Sequence, residues 1–141
     1  MRINTQFPVA VHILTAIAYY RDGSIPSDMI AASIGTNPVV VRRLMARLKK
    51  KGLVDTQAGV KGASLRKEPK DITLLEVWEA VRDKDDAIFD VHFPNPECPV
   101  GGHFAEALAK PLANAQKAME KELASATLQD VVKQIARRNR R

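Results

Sequence analysis

Gly35-Thr36-Asn37-Pro38-Val39-Val40-Val41-Arg42-Arg43-Leu44-Met45-Ala46-Arg47-Leu48-Lys49-Lys50-Lys51-Gly52 is the stretch whose reading decides the fold. Asn37 before Pro38 marks a helix start. The asparagine side chain accepts from an unpaired N–H, and proline at the first helical position has a suitable φ and no donor to lose. The helix is expected to run to about Lys51, with Gly52 stopping it. Val41, Leu44, Met45 and Leu48 fall at i, i+3, i+4 and i+7, so they form its buried stripe. Val39, Val40, Arg42 and Arg43 stay outside in the first turns, with Arg47, Lys49, Lys50 and Lys51 behind them. An α-helix fits the roughly 12 Å major groove of DNA, and an arginine fork can bind O6 and N7 of guanine together. Arg42 and Arg43 are therefore candidates for base reading, and Val39 and Val40 for contact with thymine methyls. A solvated basic face would account for the charges, but not for the tight corner and cap that precede them.

Upstream, Ser27 is expected to cap a short helix whose Ile30, Ala31 and Ile34 point one way, with Gly35 closing it in the left-handed conformation. Two helices joined by the corner Gly35-Thr36-Asn37 make a helix-turn-helix. Before it, Asn4 or Thr5 can cap a first helix with Pro8 in its early part. Phe7, Ala10, Val11, Leu14, Ile17 and Ala18 share its apolar face, and Asp22-Gly23 ends it. Arg2 ahead of this apolar stretch superficially resembles a signal peptide. Gln6, Pro8 and His12 interrupt it, however, and the spacing suits a retained core helix, too short for the roughly 20 residues that cross a bilayer.

Downstream, Leu53 to Thr56 reads as a short strand, Gln57 to Ala63 as a loop, and Ser64 to Arg66 as the returning strand. This hairpin is a wing. Lys61 and Gly62 at its tip are placed for DNA phosphate or the minor groove, although a plain hairpin tip reads the same way. The candidate DNA-binding set is thus Ser27, Asn37, Val39, Val40, Arg42, Arg43, Arg47, Lys50, Lys61 and Gly62.

Charge supports that set. The chain of 141 residues is basic by six charges, with 45% hydrophobic and 27% charged residues, which argues against long disorder, collagen-like repeats and disulfide scaffolds. The balance is uneven: residues 1–67 carry a net +8, residues 68–136 a net −6, and residues 137–141 a net +4. A strongly basic half joined to an acidic half is how a polyanion-binding module looks when attached to something else. The division suggests a winged helix-turn-helix domain at 1–67, a linking helix and loop at 68–102, dimerisation helices at 103–136 and a basic tail at 137–141.

In the acidic half, Thr73 and Glu76 form a capping box, with Ile72 and Val77 as the staple around it, and Leu74, Leu75, Trp78 and Val81 facing inward. Residues 83–86 break that helix, and Pro94 to Pro99 is irregular. A long helix is expected from His103 to about Ser125, with Phe104, Leu108, Leu112, Ala115, Met119 and Leu123 in one stripe. The stripe can pack on its own domain or meet its copy across a two-fold axis. Pro111 should kink or divide this helix. Thr127 and Asp130 begin a last helix with Leu128, Val131, Val132 and Ile135, ending in an arginine-rich tail that is disordered or touches DNA phosphates. The fold class expected is mostly α with a small β-hairpin wing.

Several of these segments together resemble the Rrf-two (Rrf2) family of bacterial winged-helix regulators. The likeness lies in Asn37-Pro38-Val39-Val40-Val41-Arg42-Arg43-Leu44, in Leu48 to Val54, in Lys61-Gly62-Ala63-Ser64-Leu65, in Ile72 to Val81 and in Ala126 to Val132. The wing followed by the Ile-Thr-Leu segment is the most telling part. The resemblance implies a homodimer that binds palindromic operator DNA, usually as a repressor, and the single cysteine makes a reducing cytosol the simplest compartment. Its cluster-binding members carry three cysteines in the loop where this chain has only Cys98, so no cofactor is expected and an iron-sulfur cluster is disfavoured. A mixed site of Cys98 with His12, His92 or His103 across a dimer stays open. So do a thiol sensor at Cys98, which Glu97 would oppose, and an inert cysteine. An enzyme using Cys98 and His103 lacks any identifiable oxyanion-stabilising group. A non-specific nucleic-acid or protein-interaction adaptor is the alternative to a specific regulator. No metal site and no membrane partner are expected.

Overall fold

Helix α1 spans Gln6–Tyr19, α2 Ser27–Ile34 and α3 Pro38–Lys50; strands β1 and β2 are Val54–Thr56 and Ala63–Leu65. A 3-10 turn at Pro69–Asp71 leads into α4, Leu74–Val81, followed by α5, Gly101–Ser125, and α6, Leu128–Asn139. The structure is a computed structural model that describes residues 5–20, 25–56, 62–83, 88–89 and 91–140. Among the described residues the chain is mostly helical with a small hairpin, as the sequence suggests. The expected stop of the first helix at Asp22-Gly23 and the Asn4 cap lie outside the described residues.

α1 is the central post. The expected one-sided face becomes burial nearly all round its second half, where Ile13, Leu14, Thr15, Ala16, Ile17 and Ala18 are all buried. The single polar member, Thr15, satisfies its hydroxyl by donating to the carbonyl of Val11 at 2.7 Å. α2, α3, α4 and α6 all pack on α1, so one side cannot remain open. Phe7 meets the Trp78 ring edge-on at 5.8 Å between centroids.

Two local starts differ from expectation. Thr5 occupies the N-cap position of α1 without a side-chain cap bond, because its backbone already has helical φ and ψ. Ser27 is not a cap but the first residue of α2; Pro26 holds the cap position with extended backbone. Other local signals appear as read. Gly35 has φ +80° and Gly52 φ +83°, the left-handed values that end α2 and α3 without a side-chain clash.

The wing is a two-stranded antiparallel ribbon with Val54 opposite Leu65, Asp55 opposite Ser64 and Thr56 opposite Ala63. Ile25 adds an isolated bridge to Ala63, which ties the α1–α2 connection to the wing. Gly62 makes this possible. Its φ is +63°, and a Cβ there would collide with the Ile25 carbonyl.

The core is one cluster that joins the first three helices to Ile72, Val77, Val81 and Leu128. The charge boundary near residue 67 is therefore not a boundary in packing, and α6 returns to seal the first helix. Twin capping boxes start α4 and α6: Thr73 with Glu76, and Thr127 with Asp130. They are clipped side by side, with Leu74 N–H donating to Ala126 O and Leu128 N–H to Ile72 O, both at 2.9 Å. In α4, Val77, Trp78 and Val81 are buried, whereas Leu74 and Leu75 are half-buried.

α5 is different in kind. It runs unbroken from Gly101 to Ser125 through Pro111, two residues longer at its start than expected, and no residue of it is buried. Phe104, Leu108, Leu112, Met119 and Leu123 are half-buried. Ala115 is exposed, and Gln116 takes the half-buried place instead, because the i, i+4 row from Leu112 passes through 116 while 115 lies at the edge.

Candidate nucleic-acid interface

The surface is built on α3. Asn37 caps it by accepting from the Val39 N–H at 2.8 Å, with Pro38 at the first helical position. Val41, Leu44, Met45 and Leu48 are buried as their spacing demands, so the opposite line of the helix faces out: Val39, Arg43, Ala46 and Lys50. Val39 is 58% exposed, large for a valine at a helix tip. Arg42, Arg43 and Lys50 carry no ion pair among the described residues. Ala46 is the member that sequence reasoning missed; its spacing from Val39 and Arg43 was the available signal, and its small side chain lets a groove wall come close to the helix.

Beside α3 lies a groove of about 420 Å³ between the helix and the wing, lined by Ser27, Arg42, Met45, Lys49, Thr56 and Gly62 among others. Ser27, Arg42 and Gly62 thus meet on one surface. Lys49 closes the groove by donating to the Thr56 hydroxyl at 3.1 Å, a contact that needs the wing folded back on the helix. Lys61, expected at the wing tip, lies outside the described residues.

Two members of the candidate set are corrected. Val40 is half-buried against the core cluster, since helix geometry turns it toward the flank of α3 rather than outward. Arg47 also leaves the outward line. Its guanidinium donates to the carbonyl of Val81 at 2.7 Å and to Asp83 at 3.1 Å, partners distant in sequence that no local pattern reveals. Lys51 likewise pairs with Glu79 at 3.4 Å, so the α4 flank of α3 is neutralised while the outward line is not.

A second feature lies before α5. Cys98 is exposed in a turn whose backbone folds onto the start of the helix, with Gly102 N–H donating to Cys98 O at 2.8 Å. The backbone N–H groups of Gly101 and then Val100 point at its sulfur and hold the thiol below its ordinary range. The opposition expected from Glu97 does not reverse that direction. Gly101 and Gly102, not singled out in the sequence, permit the turn: a Cβ on either would strike the carbonyl of Asn95 or Pro96.

The three histidines are apart in role. His12 bonds to the Ser33 hydroxyl at 3.0 Å, the His92 ring lies 5.4 Å from that of Phe104, and His103 sits 3.9 Å from Glu106. Among the described residues no group of three or more His, Cys, Asp or Glu is arranged to hold a metal ion. No described helix is long and apolar enough to cross a membrane.

A capped basic helix, a preceding helix set by a left-handed glycine and a hairpin folded alongside define a winged helix-turn-helix protein. Comparison with known proteins agrees. A family model for Rrf2, described as an iron-dependent transcriptional regulator, matches residues 3–134. The Bacillus subtilis (strain 168) protein named "Putative HTH-type transcriptional regulator YwnA" is 50% identical over 131 residues, 92% of this chain and 96% of the relative. A crystal structure of a "putative DNA binding protein" is 46% identical, covers 90% of this chain and 98% of its own, and superposes with a TM-score of 0.74. T. potens IscR shares the fold, with a TM-score of 0.70 at 23% identity over 96% of this chain and 88% of its own. The chain belongs to the Rrf2 family of DNA-binding transcriptional regulators, which are not enzymes. Against the iron of that description, each chain offers a single thiolate, that of Cys98.

Proposed function

We propose that this protein is a cytoplasmic homodimeric repressor that binds a palindromic operator in double-stranded DNA, without an iron-sulfur cluster, and loses affinity when Cys98 is oxidised. The observation that carries the DNA reading is the outward line of α3, with Val39 and Arg43 at its leading end and no acidic partner to neutralise it among the described residues. Two such helices about 34 to 36 Å apart read half-sites one turn apart, which is what a two-fold dimer provides. α5 favours the dimer: a 25-residue helix with no buried residue and a half-buried apolar row leaves a face for a second copy.

Cys98 supports the sensing step. Its exposed sulfur, facing two backbone N–H groups, attacks a peroxide oxygen; the O–O bond breaks and hydroxide leaves. The sulfenic acid formed condenses with a cellular thiol to a mixed disulfide and water, from which a second thiol releases Cys98. The turn that holds Cys98 also starts α5, so oxidation there alters the seam on which helix spacing depends.

Selection of preferred sites from random duplexes, with Cys98 reduced and then oxidised, tests both parts. A palindrome bound roughly 10³-fold above random DNA is expected for the reduced protein, and a weaker, thiol-reversible signal after peroxide. No enriched motif would refute the specific regulator, and a Cys98→Ser variant that still responds to peroxide would refute the switch. A reporter carrying the selected site should rise when the gene is deleted, as repression requires.

A further inference from the structure

The recognition helix is held in two ways. Apolar packing of Val41, Leu44, Met45 and Leu48 sets how deeply α3 sits and which face turns inward, but the hydrophobic effect is non-directional and does not by itself fix the fine angle of the helix. Direction comes from Arg47. Its Nη1 donates to the carbonyl of Val81 at 2.7 Å and to Oε1 of Gln6 at 3.5 Å, and its Nη2 to Oδ1 of Asp83 at 3.1 Å. Gln6 begins α1, Val81 ends α4, and Asp83 opens the stretch that leads in sequence to Cys98 and α5. The last carbonyls of a helix lack partners within it, so Val81 offers a strong acceptor at the point where α4 gives way to that stretch. A planar guanidinium reaches the three partners from two nitrogens held in a fixed fork, whereas an ammonium has to reach them from one.

We propose that Arg47 is a positioning residue for DNA binding: its fork on Val81, Asp83 and Gln6 sets the angle of α3 and couples that angle to the segment joining α4 to α5. This rests on the DNA-binding function proposed above. Arg47 points to the α4 flank, away from Val39, Arg43, Ala46 and Lys50, so its charge is engaged by the protein itself. Exposed ion pairs add little to stability, so orientation rather than stabilisation is the larger consequence. A shift of the chain at Asp83 is transmitted to the middle of the recognition helix through one side chain.

The test uses three full-length variants: Arg47→Lys, which keeps the charge but not the fork; Arg47→Gln, which loses both; and Asp83→Ala, which alters the far end of the contact. Each is titrated with the selected operator and with a random duplex between roughly 50 and 200 mM salt, and its melting curve is recorded. Expected is a loss of about tenfold in operator affinity with random-duplex affinity, salt slope and folding retained. Arg47→Gln lowering both affinities in proportion, with a slope smaller by about one, would make Arg47 a phosphate contact and overturn the proposal. Three variants with parental operator affinity would overturn it too. A parent chain that selects no operator would instead remove the proposed function, and this inference with it.

Discussion

α3 and α5 are both amphipathic helices, yet they end in opposite situations. In α3 four apolar residues are fully or nearly fully buried, and the helix is clamped by α1, α2, α4 and β1. In α5, almost twice as long, nothing is buried, although an apolar row broken only by Gln116 runs along it. Amphipathic spacing tells which side of a helix seeks cover, and it does not tell whether the cover comes from the same chain. The basic half satisfies itself and turns a charged line outward. The acidic half keeps an apolar line half open, which is why the proposed dimer lies there.

That contrast can be broken by substitution. The largest effect is expected from Leu48→Ala on the covered side of α3: a buried leucine with no solvent contact should cost about 2–5 kcal/mol in denaturant unfolding. A cost below about 1 kcal/mol would mean that α3 is not clamped as described. Leu112→Asp on α5 should instead leave far-UV helicity intact and weaken self-association by about 2 kcal/mol or more. Light scattering reads it directly, as a fall from twice 15.6 kDa toward the mass of one chain. A parent already at the single-chain mass would end the dimer proposal.

Arg43→Ala, on the outward line, should cost about 1–3 kcal/mol in operator binding and relax preference at one base position without changing stability. The Asn37→Ala change removes only a cap bond and should lower stability by about 1 kcal/mol. The smallest effect is pH-dependent. Burial pushes the Glu76 carboxyl up, but the Lys67 ammonium at 2.9 Å and the bonds from Thr73 outweigh it and hold the pKa below its ordinary 4.5. A depressed carboxylate stabilises the fold fully above its unfolded value and stops doing so as pH falls through the folded one. The stability gap between parent and Glu76→Gln should therefore shrink as pH drops below 4.5, read by thermal melts; a gap that widens would reverse the sign.

Local chemistry was legible in the residues. The Asn37-Pro38 start, Gly35 and Gly52, the paired capping boxes and the stripe of α3 each depend on neighbours within about one turn, and each stands where its spacing puts it. Where Arg47 points was not legible, for the opposite reason. Its partners Val81 and Asp83 lie more than thirty positions away, and nothing near it in sequence distinguishes a cation held by the protein from one offered to DNA. Ser27 shifted by a single helical position, from the cap into the first turn of α2, whereas Val40 kept its place in α3 and packs on the core from its flank. Gly62 was expected at a DNA contact and also proves to admit the backbone of Ile25, a close approach that appears only once distant strands meet.

Sequence alone thus determined the starts of α3, α4 and α6, the glycine ends of α2 and α3 and the buried stripe of α3, because caps, turns and periodicity act over a few residues. Tertiary structure decided which cations remain on the outward line of α3, which glycine admits the Ile25 backbone, and that the apolar row of α5 stays half open. Those outcomes depend on groups brought together from remote parts of the chain, whose encounter is set by packing of the whole core.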